Sequence, residues 1–129
     1  MRRSIILVSS LGFFLLASCS STLDVRNSNG KVVGQIQVQA AQTATIVNTR
    51  GDVRGKVRGT VVRDDSGKHV GTIVEKDGHT VIMDASDNAI GSLSNGTDCY
   101  GKGQDVVGHV SEGVDSTVAA GACLLFFLQ

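Results

Sequence analysis

A chain of 129 residues with 12 basic and 12 acidic side chains carries no net charge, which leaves no electrostatic footprint for nucleic acid or for an anionic lipid surface. With 16 glycines, no proline and only 4% aromatic residues, it is long enough for one small domain and has few large side chains to fill it.

The chain opens Met1-Arg2-Arg3, continues through an apolar stretch from Ile5 to Leu16 and reaches Leu16-Ala17-Ser18-Cys19. A basic start, a short apolar run and small residues before a cleavage point make a secretory signal peptide over residues 1–18. The Leu-Ala-Ser-Cys tetrad resembles the lipobox of bacterial lipoproteins, in which the cysteine thiol is acylated and the cysteine becomes the new N-terminus. Cys19 is therefore the expected lipidation site, on a short tether of residues 19–22 ahead of a single domain over 23–129. Three acyl chains at one residue exceed what stable membrane anchoring needs. Ser20 stands where Asp would resemble an inner-membrane retention signal, so in a Gram-negative cell the anchor points to the outer membrane, facing the periplasm. Cleavage removes Arg2 and Arg3 and no acid, leaving 10 basic and 12 acidic side chains.

From residue 27 onward one pattern returns five times. Its copies are Asn27-Ser-Asn-Gly30-Lys-Val-Val-Gly34-Gln-Ile36, Asn48-Thr-Arg-Gly51-Asp-Val-Arg-Gly55-Lys-Val57, Asp64-Asp-Ser-Gly67-Lys-His-Val-Gly71-Thr-Ile73, Asp84-Ala-Ser-Asp87-Asn-Ala-Ile-Gly91-Ser-Leu93 and Gly101-Lys-Gly-Gln104-Asp-Val-Val-Gly108-His-Val110. The Asn or Asp can bond its own backbone two residues on, and the fourth position takes a positive φ, which makes a hairpin tip. Asp87 and Gln104 replace the turn glycine in the last two copies, and there the pattern predicts wider or differently typed tips. Asp77-Gly78 and Asn95-Gly96 are further tight-turn signals between copies. The second glycine of each copy, Gly34, Gly55, Gly71, Gly91 and Gly108, falls inside the returning strand. Its recurrence there predicts a bend or a close backbone approach. The aliphatic two residues later shares its face.

The final stretch, Val118 to Leu128, reads Val-Ala-Ala-Gly-Ala-Cys-Leu-Leu-Phe-Phe-Leu. As a helix it would be roughly 16 Å long, too short to span a bilayer. Asp115-Ser116-Thr117 supply N-cap groups, so the expectation is a buried helix over about 116–128, apolar on all sides, acting as a plug. The fold class is then all-β with one buried helix, a five-fold radial array of β-hairpins, a shallow barrel or flower, around that helix.

The lipobox, the five Asn/Asp-x-x-Gly-x-x-x-Gly-x-aliphatic hairpins and the terminal apolar segment together resemble the five-fold β-flower family of small bacterial lipoproteins. That family is in turn similar in outline to the Tubby C-terminal-like barrels, whose strands surround a hydrophobic C-terminal helix. The resemblance implies the fold and the envelope location, and it brings no catalytic residues with it.

Nothing in the chain assembles chemistry on sequence grounds. Cys99 and Cys123 are either bridged in an oxidising envelope, tying ring to plug, or two separately buried thiols. His69, His79 and His109 lack metal-ligand spacing, and parity about the strand glycine puts His69 and His109 on opposite sheet faces. Asp52, Asp64, Asp65, Asp77, Asp84, Asp87 and Asp105 crowd at turns, where Asp is ordinary turn chemistry. The tip at Asp64 lacks the terminal bidentate Glu of an EF-hand loop. Gly101-Lys-Gly103 precedes no helix, which a phosphate loop requires. Arg50, Arg54, Lys56, Arg58 and Arg63 read as the solvated face of a hairpin. The expectation is a lipid-anchored envelope protein with no catalytic residues, no cofactor and no metal. Its partners would be the membrane, through its lipid, and an envelope protein, with a carrier of a lipid-like ligand as the alternative and a hydrolase a distant third.

Overall fold

The structure, a computed structural model, describes residues 21–129; the expected signal peptide over 1–18 and the expected lipidation site Cys19 lie outside the described residues. Ten antiparallel strands follow the chain around a closed barrel: β1 (Ser21–Asn27), β2 (Val32–Ala40), β3 (Thr43–Asn48), β4 (Val53–Arg58), β5 (Val61–Asp64), β6 (His69–Lys76), β7 (His79–Asp84), β8 (Ala89–Ser94), β9 (Asp98–Gly101) and β10 (Val106–Val110). Pairing of Val25 with Val110 and Asn27 with Gly108 shuts the ring between β1 and β10. Strand pairing begins at Ser21, two residues before the expected domain start at Leu23.

The chain is all-β with a short C-terminal helix, as its sequence indicates. The radial array of separate hairpins is corrected to one continuous sheet, because links between hairpins pair as fully as the hairpins do. β2 with β3 and β6 with β7 each pair over six residue positions. Closure leaves no open edge among these strands, which a chain without proline would otherwise have to protect by other means.

Each of the five hairpins repeats one register. The strand glycine lies opposite an apolar residue of the strand before it: Gly34 with Val25, Gly55 with Ile46, Gly71 with Val62, Gly91 with Ile82 and Gly108 with Cys99. A bulge follows or flanks that pair in every hairpin. Bulges increase local twist, which a small barrel needs to close.

The tips form as the Asx chemistry predicts. Asn27, Asn48, Asp64 and Asp84 each accept two backbone N–H bonds on Oδ1, from the residues two and four positions on, at 2.8–3.0 Å. The expectation of different tips at Asp87 and Gln104 is corrected. Both residues take a φ of +65°, against +85° to +88° at Gly30, Gly51 and Gly67, and close the same turn bond onto Asp84 and Gly101. Asp and Gln bear the left-handed conformation at a cost that glycine avoids.

After β10 the chain turns back and enters the barrel as α1 (Ser116–Cys123), which continues as a π-helical segment, Leu124–Leu128. Asp115 caps α1, its carboxylate accepting from the Thr117 N–H at 3.0 Å and the Thr117 hydroxyl at 2.7 Å. α1 touches β3, β4, β6, β7, β8 and β10. Its residues from Thr117 to Cys123 are all buried, as an apolar-all-round helix requires.

Candidate functional site

The barrel interior is the most constrained region of the molecule, and the strand glycines define it. A Cβ built at Gly34 would overlap the Phe126 ring, one at Gly55 would meet Leu125, and one at Gly71 would overlap Leu124. At Gly91 it would meet Leu128, and at Gly108 the Phe127 ring. The five glycines thus seat the five residues of Leu124–Leu128, one each. Followed along the chain, residues 124 to 128 address β6, β4, β2, β10 and β8 in turn, moving one hairpin around the ring per residue.

That stepping accounts for the change of helix type. Five seats in one circuit ask for about 72° per residue, whereas an α-helix advances about 100°. The wider i→i+5 winding of a π-helix turns less per residue and comes closer to the spacing of the seats. One turn lower, Gly121 on α1 leaves room for the Val57 side chain. The aliphatic that follows each strand glycine, Ile36, Val57, Ile73, Leu93 and Val110, is buried around the helix.

Cys99 and Cys123 form a disulfide across 5.7 Å between Cα atoms, joining β9 to the end of α1. The sequence holds a signal for this placement that an alignment started at the Asn/Asp position misses. Two residues earlier stand Val25, Ile46, Val62, Ile82 and Cys99, all at or near zero exposure. Cys99 thus occupies the core-facing column of its repeat, aimed at the plug.

A second column carries another departure. The residue before each strand glycine is Val33, Arg54, Val70, Ile90 and Val107. The four aliphatics pack on the core. Arg54 instead donates from Nη2 to the Leu125 carbonyl at 2.9 Å and stacks over the Phe126 ring, 5.4 Å from its centroid. A cation belongs there, because the last carbonyls of a helix lack intrahelical donors and carry partial negative charge.

The titratable groups are dispersed over the outside. The parity argument for His69 and His109 is corrected, because it ignored the bulges. His69 pairs in register with Arg63 and His109 with Arg26 and Asp98, which sets both on the outer face. His109 Nδ1 lies 3.0 Å from Asp98 Oδ1, His69 Nε2 lies 3.1 Å from Thr72 Oγ1, and His79 is exposed. Asp64 is held below the usual aspartate range by the Ser66 hydroxyl bonded to it and then by the Lys68 N–H. Asp84 is lowered chiefly by the Asn88 N–H. Of the other turn acids, Asp52 pairs with Arg50 at 3.6 Å, while Asp77 and Asp87 sit at positive φ. Asp105 accepts the Gly101 N–H through its backbone carbonyl, and Asp65 is exposed beside Asp64 at the third tip. No group of three or more His, Cys, Asp or Glu side chains that could hold a metal occurs among the described residues.

No helix among the described residues is long and apolar enough to cross a membrane. No family model matches the chain, and comparison with curated proteins and with solved structures finds no match either.

Proposed function

We propose that this chain is a lipid-anchored protein of the bacterial cell envelope, of the five-fold β-flower kind, acting as a non-catalytic structural or interaction module. The observation that carries this reading is the seating of Leu124–Leu128 on the five strand glycines. A barrel whose interior is filled by its own C-terminal helix keeps its apolar surface for folding and presents an outer face of turns and polar strand positions to other molecules. The lipobox tetrad ending at Cys19 supplies the envelope address, and the five-fold recurrence of turn, bulge and glycine supports the family resemblance.

Native mass spectrometry of the protein extracted gently from bacterial membranes tests both halves. The expected result is an N-terminus at Cys19 bearing acyl chains, and an intact mass with no further ligand. An unmodified N-terminus would remove the anchor. A stoichiometric second lipid would favour a carrier instead, and would direct attention to the recess of about 310 Å³ at the hairpin-tip end, where Val70, Ile90, Leu124 and Leu128 meet.

A further inference from the structure

Net charge averages over the whole surface, and the fold does not distribute the cations evenly. Lys56 on β4 lies directly opposite Arg63 on β5, a like-charged cross-strand pair that is unfavourable unless something neutralises it. Arg58 projects from the same face as Lys56, roughly 7 Å further along the strand. With Gln39, Thr43 and Val61 these three cations line a groove of about 420 Å³ on the outside of β3–β5.

No carboxylate among the described residues forms an ion pair with Lys56, Arg58 or Arg63. The ion pairs among the described residues are Arg26–Asp24, Arg50–Asp52 and His109–Asp98, all elsewhere. Asp64 and Asp65 share a second recess with Lys56 and Arg63 on the hairpin-tip side. There Arg63 Nη1 donates to the Gly67 carbonyl at 3.2 Å and the Asp64 carboxylate is engaged by the Ser66 and Lys68 amides. Arg58 lies outside that recess. The outer positions flanking the groove are Gln37 and Thr45, which pair with each other on β2 and β3, and Thr72 on β6, opposite Val61. None is acidic.

The groove also has a position relative to the start of the domain. One row of the barrel runs from Ser21 to Val38, Ala44 and Val57, three strand spacings or about 14 Å. Lys56 and Arg58 flank Val57, so the groove opens beside the end of the barrel from which residue 19 would be tethered.

We propose that the outer face of β3–β5 docks on the phosphate headgroups of anionic phospholipids in the leaflet that holds the Cys19 anchor, fixing the barrel's orientation on the membrane. The proposal rests on the lipid-anchored reading. A tether of two residues turns headgroup contact into an intramolecular event at high effective concentration. Removing one cation near an anionic surface then weakens contact about fivefold, and three together roughly a hundredfold.

The test labels lysines of the full chain, purified from membranes and reconstituted in vesicles, with an amine-acylating reagent that does not cross the bilayer. Rates are read by mass spectrometry in neutral phosphatidylcholine vesicles and in vesicles containing phosphatidylglycerol. The expected result is labelling of Lys56 slowed fivefold or more by the anionic lipid, with Lys102 at a distant hairpin tip unchanged. In Arg58→Gln/Arg63→Gln the protection of Lys56 disappears while Lys102 still reacts at the wild-type rate. Equal slowing at Lys56 and Lys102, or none at either, overturns the proposal. Protection reproduced by inorganic phosphate in neutral vesicles also overturns it, assigning the groove to a soluble anion. The same spectra report the mass of the N-terminal peptide. An unacylated Cys19 with Lys56 still protected would sink the anchor reading and leave the headgroup contact standing.

Discussion

Gly71 faces Leu124 with no space between them for even a methyl group, and the Met83 carbonyl closes the other side of the same gap. A side chain at this position must displace the plug or break a strand. Gly71→Val is therefore expected to cost about 3 kcal/mol or more, at or beyond the upper end of ordinary overpacking. Gly67, at a φ of +88° with nothing within 4 Å, faces only a conformational demand that Asn tolerates, so Gly67→Asn should cost about 1 kcal/mol or less. Urea unfolding midpoints of the two variants check the ranking, and the reverse order would mean that the strand glycine is not a close-approach site.

The Cys99–Cys123 bond closes a loop with a sequence separation of 24, for which chain entropy gives about 3 to 4 kcal/mol. Cys99→Val restores the aliphatic of the other four copies, and Cys123→Ala removes the unpaired thiol. The double variant should fold to the same barrel and unfold at lower denaturant by roughly that amount. Equal midpoints for wild type and variant would show that the bond adds nothing to a plug already held by packing.

Arg54 combines a hydrogen bond from a charged donor with a cation–π contact, so Arg54→Val should cost about 1 to 2 kcal/mol although valine is the residue of neighbouring copies. A double-mutant cycle with Phe126→Leu isolates the stacking part, expected at about 0.5 kcal/mol or above. Zero coupling would mean that the guanidinium serves the carbonyl alone.

Asp64 and Asp84 have carboxyls lowered below the ordinary 3.8 by hydrogen bonds present only in the folded turns. The unfolded chain therefore takes up protons first. Their contribution is full above about pH 4 and is lost as pH falls through the folded values. Asn27 and Asn48 hold the same turns without titrating. The double variant Asp64→Asn/Asp84→Asn should lose less stability than wild type between pH 4 and pH 2 in acid-dependent thermal unfolding. Identical acid limbs would place the sensitivity in other carboxylates.

Much of this architecture was legible because turn chemistry is local. Asn27, Asn48, Asp64 and Asp84 need only their own next four residues to form a tip, and the recurrence of a costly strand glycine betrayed the close approach before any partner was known. Residues whose role depends on register were harder to read. A single bulged residue reverses the face of everything beyond it, which defeated the parity argument for His69 and His109. At Asp87 and Gln104 the missing glycine does not mark a different turn, because Asp and Gln tolerate the same left-handed conformation. Arg54 stands as the odd member of an aliphatic column inside the repeat itself, whereas Cys99 shows as one only when the alignment is extended two residues before the tip. The cationic groove also depends on register, since alternating charges along β4 look dilute until β5 sets Arg63 across from Lys56.

The pairing of five plug residues with five seats gives the interior an angular phase as well as a volume. Deleting Leu124 would shorten the plug by one residue and also turn the remaining ones by one seat, presenting Phe126 to the gap at Gly55 that Leu125 fills. The disulfide at the start of this segment then acts as an index pin. It fixes the rotation at which the key engages the ring, so that the two aromatic teeth come to rest at Gly34 and Gly108, on either side of β1.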